Sequence, residues 1–277
     1  MSAEQDDCIC VRHWEFSETS QTVGIFGRRT GLFRAIAKGS RRPRSTFAGG
    51  VDLLIRAEAE VIHSHHGELS TLCSWRPVEM YPMLRGDLGA NRAAFYCADL
   101  VSRMLEAHDP HPDVFDSLTG FLGQLEAGSA VAVALLEFQW SLLRSGGWQP
   151  RLELADHQHS PVETLQFSAS LGGVVTDATS DSWPVRATTI ETLRGVVEVP
   201  TPTTGTPVRT FDSDSVDRAN RLLAAYIRTL INAEPHTMKA LFGEIQVPAP
   251  RTGPPPIQPT NRPVASGPCP SRIAKPP

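Results

Sequence analysis

Lysine is almost absent from this chain: Lys38, Lys239 and Lys275 stand against 23 arginines. Arginine enrichment therefore carries no weight by itself, because genome composition explains it as readily as a need for guanidinium forks. Cysteine is sparse and unpaired in pattern. Cys8, Cys10, Cys73, Cys97 and Cys269 make an odd count with no C-x-x-C, which excludes a disulfide scaffold and a zinc ribbon and suits a reducing compartment. Long apolar runs are missing as well. The longest, Ala130 to Leu136, is far short of the roughly 20 residues a spanning helix needs. The first residues, MSAEQDDCICVRHWEFSETS, are acidic and have no apolar segment of the kind that marks a secretory signal. A soluble, cytoplasmic protein without a membrane partner is expected. No G-x-S-x-G, Walker or G-x-G-x-x-G sequence occurs, so no catalytic residue is nominated and an enzyme is not expected.

What is present suffices for a large core. Of 277 residues 40% are hydrophobic, and the net charge of −4 excludes a chain that is basic all over. From Cys8 to about Pro82, short β-rich runs alternate with turn residues: Ile9 to Phe16, Thr22 to Phe26, Leu32 to Ala37, Val51 to His63 and Leu69 to Met80. In the first run Ile9, Val11 and His13 share one face, and in the third Phe33, Ala35 and Ala37 alternate with Leu32, Arg34 and Ile36. Five such strands predict a closed OB-type barrel over residues 1–82.

After Pro82 the period lengthens to that of helices. Leu84, Leu88, Phe95, Ala98, Val101 and Leu105 mark one, capped by Asp87 and stopped by Asp109-Pro110. Phe115 to Leu125 marks a second, ended by Gly128, and Val131 to Leu142 a third, ended by Gly146-Gly147. The pattern weakens from Pro150 to Pro207, where Thr188 to Leu193 suits a short helix. It returns from Ser213 to Ile231. The fold class is thus α+β, with a helical domain over 83–247. Residues 248–277, rich in proline and without an acidic side chain, read as a disordered basic tail.

Charge is segregated along the chain. Between Glu18 and Asp52 no acidic residue occurs, yet Arg28, Arg29, Arg34, Lys38, Arg41, Arg42 and Arg44 all fall there. Cations without counter-anions on a strand and its following loop repel one another unless a polyanion or solvent screens them. A phosphate backbone is one such partner, with Gly39, Ser40 and Ser45 offering amides and hydroxyls to its oxygens. A solvated arginine-rich surface loop is the other reading. Trp14 and Phe33 are candidate stacking platforms for bases, or else barrel core. His63-Ser64-His65-His66, just before Gly67, reads as an exposed turn rather than a metal site.

The string Trp14-Glu15-Phe16-Ser17-Glu18-Thr19-Ser20, followed by Thr30-Gly31-Leu32-Phe33-Arg34-Ala35-Ile36-Ala37-Lys38-Gly39-Ser40-Arg41-Arg42-Pro43-Arg44-Ser45, resembles the amino-terminal domain of the bacterial recombination mediator family RecO. Phe47, Gly49, Gly50 and Leu53 supply the family's glycine-rich step, and the likeness continues through the helices to Lys239-Ala240-Leu241, covering roughly residues 9–245. The resemblance implies an OB-fold joined to a helical domain. It also implies binding of single- and double-stranded DNA, strand annealing, and repair of DNA damage by the RecF pathway. The implied partners are RecR, RecF, the acidic tail of the single-strand-binding protein SSB, and indirectly RecA. Arg34, Lys38, Arg41, Arg42 and Arg44 occupy the family's basic segment and so become phosphate-contact candidates, with Arg28 and Arg29 beside them.

The sequence departs from the family at its zinc site. Many members carry two C-x-x-C pairs after the third helix. Here Ala155, Gln158, Thr176 and Thr179 fall at the cysteine positions, so a zinc-less, degenerate finger-like insertion is expected over 150–185 and no cofactor is assigned. Asp156, His157 and His159 lack a second ligand pair, while Phe167 and Leu171 suggest that the subdomain persists without metal. For the SSB tail, Phe138, Leu142 and Arg144 are the candidate receptor, with bundle core as the alternative for the two apolar residues. From a different class stands an OB-fold RNA-binding or scaffolding module, which composition does not separate from a DNA mediator.

Overall fold

The structure, a computed structural model, describes residues 3–15, 18–42, 45–47, 49–64, 69–153, 163–197 and 212–245. The 248–277 tail, Arg44, and Ala155 to His159 lie outside them.

Five strands close on themselves: β1 (Glu4–Glu15), β2 (Gln21–Gly27), β3 (Gly31–Ala37), β4 (Arg56–Ile62) and β5 (Ser70–Glu79), in the order β1-β2-β3-β5-β4. Only β3 and β5 run parallel, and β4 pairs with β1 to complete the closure. The expected α+β class with an OB-type barrel is present, and closure removes the unpaired strand edges. Cys8, Cys10, Val23, Ile25, Phe33, Ala35, Ala59, Val61, Leu72 and Trp75 fill the interior.

Two of the predicted runs differ from simple strands. The β1–β2 ladder skips Val11, pairing Cys10 with Ile25 and Arg12 with Gly24. On the other side of β1 the pairing with β4 ends at Ile9, and the backbone of Cys10 bonds the segment after Val51 instead, its N–H donating to the Ile55 carbonyl at 3.4 Å. The Leu54 N–H donates to the Cys10 carbonyl at 2.8 Å, with Leu54 itself at φ 61°. Val51 to Ile55 is therefore a docked loop, and the fourth strand is confined to Arg56–Ile62.

A 3-10 turn at Pro82–Arg85 leads from the barrel to α1 (Leu88–Met104), so Leu84 lies in the turn and not in the predicted helix. Asp87 caps α1 by accepting from the Ala90 N–H at 3.0 Å. The helix ends at Met104, earlier than Asp109-Pro110, because the loop after it docks on β3: the His108 N–H donates to the Leu32 carbonyl at 2.8 Å. Gly31 permits that approach, since at φ 70° a Cβ there would lie 2.4 Å from the Asp109 carbonyl oxygen. Helices α2 (Pro112–Glu126) and α3 (Val131–Ser145) follow.

The weakly patterned stretch holds a small sheet that periodicity did not reveal. Strands β6 (Thr164–Ser168), β7 (Gly173–Val175) and β8 (Ser182–Arg186) pair in the order β7-β6-β8 and lead into α4 (Ala187–Val197). Their three to five residues are too short to display an alternation. Phe167 anchors the sheet, packing edge-on against Tyr226 of α5 (Ser213–Ile231) and against Trp183. Leu171, in contrast, is half exposed and contributes nothing to that anchor. A short α6 (His236–Phe242) ends the described fold.

The helical core is continuous with the outer face of the barrel: Ile9, Val11 and Phe26 join the cluster built from α1, α2, α3 and α5. Phe26 meets Phe115 with ring centroids 5.6 Å apart. Inside the bundle the Tyr96 hydroxyl donates to Gln139 (3.1 Å), the Gln139 amide to Asn220 (2.8 Å), and the Asn220 amide to the Ala132 carbonyl (2.8 Å). These bonds satisfy buried polar groups and fix the relative register of three helices.

Candidate nucleic-acid interface

The cations of the 18–52 segment are distributed about β3: Arg28 and Arg29 precede it, Lys38, Arg41 and Arg42 follow it, and Arg34 lies midway along its seven residues.

At the near end, the β2–β3 turn is built on Asp6. Its buried carboxylate accepts from the backbone N–H of Arg29 and Thr30 and from the Thr30 hydroxyl. Arg28 leaves this turn toward α2 and forks onto Asp116 with two bonds of 2.8 Å. That hydrogen-bonded fork raises the Arg28 pKa and lowers that of Asp116. Arg29 bonds the Gln5 carbonyl and lies 3.5 Å from Asp6 and 3.8 Å from Glu4. The expectation of seven cations without counter-anions is corrected here. The anions come from β1 and from a helix 88 residues away, which local sequence cannot display.

At the far end the situation differs. Lys38, Arg41 and Arg42 are exposed on the loop after β3, Arg34 is exposed on the strand, and none of the four forms an ion pair among the described residues. The loop that carries them is held from inside. Buried Gln21 accepts from the Ser40 hydroxyl (2.9 Å) and the Val51 N–H (2.9 Å), and donates to the Val51 carbonyl (3.1 Å). The Ser45 hydroxyl donates to the Ser40 carbonyl, and the Gly39 N–H donates to the Ser20 hydroxyl. Ser40 and Ser45 are thus occupied in holding the loop, contrary to their reading as phosphate donors. Their bonds fix the backbone beneath the exposed side chains of Lys38, Arg41 and Arg42.

The aromatic candidates separate as well. Phe33 is in the barrel core beside His63 and His108, so it offers no face to a base. His63 packs in that cluster and is no part of an exposed turn, while His65 and His66 lie outside the described residues. Trp14 is only half buried, and two guanidiniums lie over its ring: Arg12 at 5.3 Å and Arg34 at 4.6 Å from the centroid. Arg12 is a cation the sequence reading missed, because it lies outside the acid-free segment.

In the helical part, Phe138 and Leu142 are fully buried in the bundle and only Arg144 is exposed. The two apolar residues face the core of α1, α2 and α5, so they do not line an open groove. Thr176 follows β7 and Thr179 lies in the turn before β8. The Thr179 hydroxyl donates to Asp181 at 2.9 Å, joined there by the Ser170 N–H at 2.9 Å and the Ser168 hydroxyl at 3.2 Å. Burial opposes ionisation of Asp181, but these bonds outweigh it and hold its carboxyl at about 2. Threonine hydroxyls are not among zinc's ligands, so these two positions do not fit a four-cysteine site. No metal-holding cluster of His, Cys, Asp and Glu occurs among the described residues, and no described helix is long and apolar enough to cross a membrane.

Comparison with known proteins accounts for both halves of this architecture. A family model described as Recombination protein O N terminal matches residues 1–81, and one described as Recombination protein O C terminal matches residues 85–239. The chain is 31% identical over 169 residues to the DNA repair protein RecO of Anaeromyxobacter dehalogenans, covering 60% of this chain and 66% of that one. It is 32% identical over 178 residues to the protein of the same name from Desulfitobacterium hafniense, with 63% and 64% covered. These two matches span just under two thirds of the relatives' length. A longer match, to the DNA repair protein RecO of a Roseiflexus species, has 26% identity over 245 residues and covers 85% of this chain and 83% of that one.

Proposed function

Because the chain belongs to the Recombination protein O family, we propose that it is a DNA-binding mediator of recombinational repair that acts by binding rather than by catalysis. It binds and anneals single-stranded DNA, engages duplex DNA through the same cations, and with RecR assists the loading of RecA onto strands coated by SSB. RecF is a further partner on this reading.

The observation that carries the proposal is the set of exposed cations on β3 and the loop after it, Arg34, Lys38, Arg41 and Arg42, which form no ion pair among the described residues, with Arg44 next to them in sequence. Two strands of DNA repel through their phosphates. A fixed cationic loop that neutralises phosphates on both lowers that repulsion, and base pairing then selects the complement. Arg28 and Arg29, already paired, make a smaller contribution. For the acidic SSB tail, Arg144 is the cation in reach of a partner.

No zinc enters this reading. Support comes from Thr179 and Asp181, whose hydrogen bonds tie the β7–β8 turn without a metal. Annealing of complementary oligonucleotides, naked and coated with SSB, tests the function. Acceleration in both settings, lost in the double variant Lys38→Glu with Arg41→Glu, is expected. A protein that binds RNA and accelerates neither reaction contradicts it.

A further inference from the structure

We propose that Trp14, lying over Gly24 between Arg12 and Arg34, is a platform on which a base of single-stranded nucleic acid stacks while the two guanidiniums take its flanking phosphates. The inference rests on the DNA-binding reading above and names a subsite within it.

Three strands build the subsite. Arg12 of β1, Gly24 of β2 and Arg34 of β3 are in register, forming one row across the sheet. Directly opposed residues share a face, and Arg34 is exposed, so the row lies on the outside of the barrel. Simple alternation from Cys10, which points inward, would have turned Arg12 and Trp14 inward too. The bulge at Val11 reverses the parity, and both emerge beside Arg34.

Gly24 is what lets the indole lie down. A Cβ at that position would come within 3.1 Å of the Arg12 Cβ and 3.4 Å of two atoms of the Trp14 ring. A methyl group there would touch the ring at ordinary contact distance and crowd Arg12, and a longer side chain would displace the ring. Beneath it Thr22, the cross-strand partner of Trp14, is buried.

The chemistry suits one ligand class. The other large aromatics among the described residues of the barrel are buried, Phe33, Phe47 and Trp75 in its core and Phe26 against the helices, whereas Trp14 is half-buried on the outer face. Among the described residues neither Arg12 nor Arg34 pairs with a carboxylate, and each guanidinium lies over the ring, a contact it can exchange for a phosphate. An indole flanked by cations stacks an unpaired base of any identity. Bases within a duplex are already stacked on one another and do not reach it. Lys38 lies four residues after Arg34, just past the end of β3, so a nucleic-acid strand leaving the platform meets the cationic loop within about 13 Å.

Fluorescence titration with an oligothymidylate and with a duplex of equal length tests the platform. Trp14→Ala should weaken oligothymidylate binding about tenfold with an unchanged salt slope and unchanged duplex affinity. Trp14→Phe should keep binding within about threefold while losing the quenching that the wild type shows. Arg12→Ala should reduce the salt slope by about 0.7. Unchanged affinity in Trp14→Ala, or equal losses on single and double strands, overturns the platform and leaves the reading above intact. A wild-type chain that binds no DNA overturns that reading itself.

Discussion

Arg28 and Arg41 are thirteen residues apart in a segment of uniform charge, yet they occupy different electrostatic situations. Arg28 is forked onto Asp116 and joins the barrel to α2. Arg41 is exposed without a carboxylate partner among the described residues, its backbone fixed through the Thr19 carbonyl. A guanidinium must give up its ion pair before it serves a phosphate, so the two differ in what they offer DNA. Arg28→Ala is expected to change affinity for single-stranded DNA less than twofold, and Arg41→Ala several-fold; equilibrium titration of the two variants at one salt concentration checks this. At this scale the sequence was a partial guide. Counting charge located Lys38, Arg41 and Arg42, but Arg12 became visible only through the bulge that turns it outward. Asp6 and Gln21, which shape the turn and the loop, gave no signal, because each acts through partners 19 to 30 positions away.

The strands of the barrel and the long helices were legible as elements because each is long enough to repeat its period. The helix from Ser213 to Ile231 carries Val216, Ala219, Leu223 and Tyr226 on its buried face, and a cap at Asp212 that accepts from the Ser215 N–H. The β6–β8 sheet was not legible, since its strands are short and its stability comes from Phe167 and from one carboxylate. Asp181 draws together Ser168, Ser170 and Thr179 across the turn where the family resemblance would put a metal. Its folded pKa of about 2 is below the unfolded value of about 3.9. Its stabilisation is therefore complete above the unfolded value and is lost as pH falls toward 2, amounting to about 1–2 kcal/mol after solvent screening. Asp181→Asn should lower the melting temperature at pH 7, and the gap to wild type should close by about pH 2. Chelator should leave both melting curves unmoved. A chelator-sensitive melt would show that a metal, and not Asp181, ties this turn.

Across the whole molecule, barrel and helices share one apolar cluster, with Ile9, Val11 and Phe26 on one side and α1 and α2 on the other. The change of period near Pro82 marked where the architecture switches but not that the two parts are joined, because the joining residues belong to strands that look complete alone. The same whole-chain view resolves the charge. A net −4 over 277 residues averages an acidic remainder with a cationic loop at one end of β3, and the function proposed here depends on that loop. The salt dependence of single-stranded DNA binding measures it most directly. With Arg12, Arg34, Lys38, Arg41 and Arg42 on phosphates, log K should fall against log salt with a slope of about −3.5, and Lys38→Glu with Arg41→Glu should reduce it to about −2. A slope near zero, or one that the double variant leaves unchanged, would contradict the account.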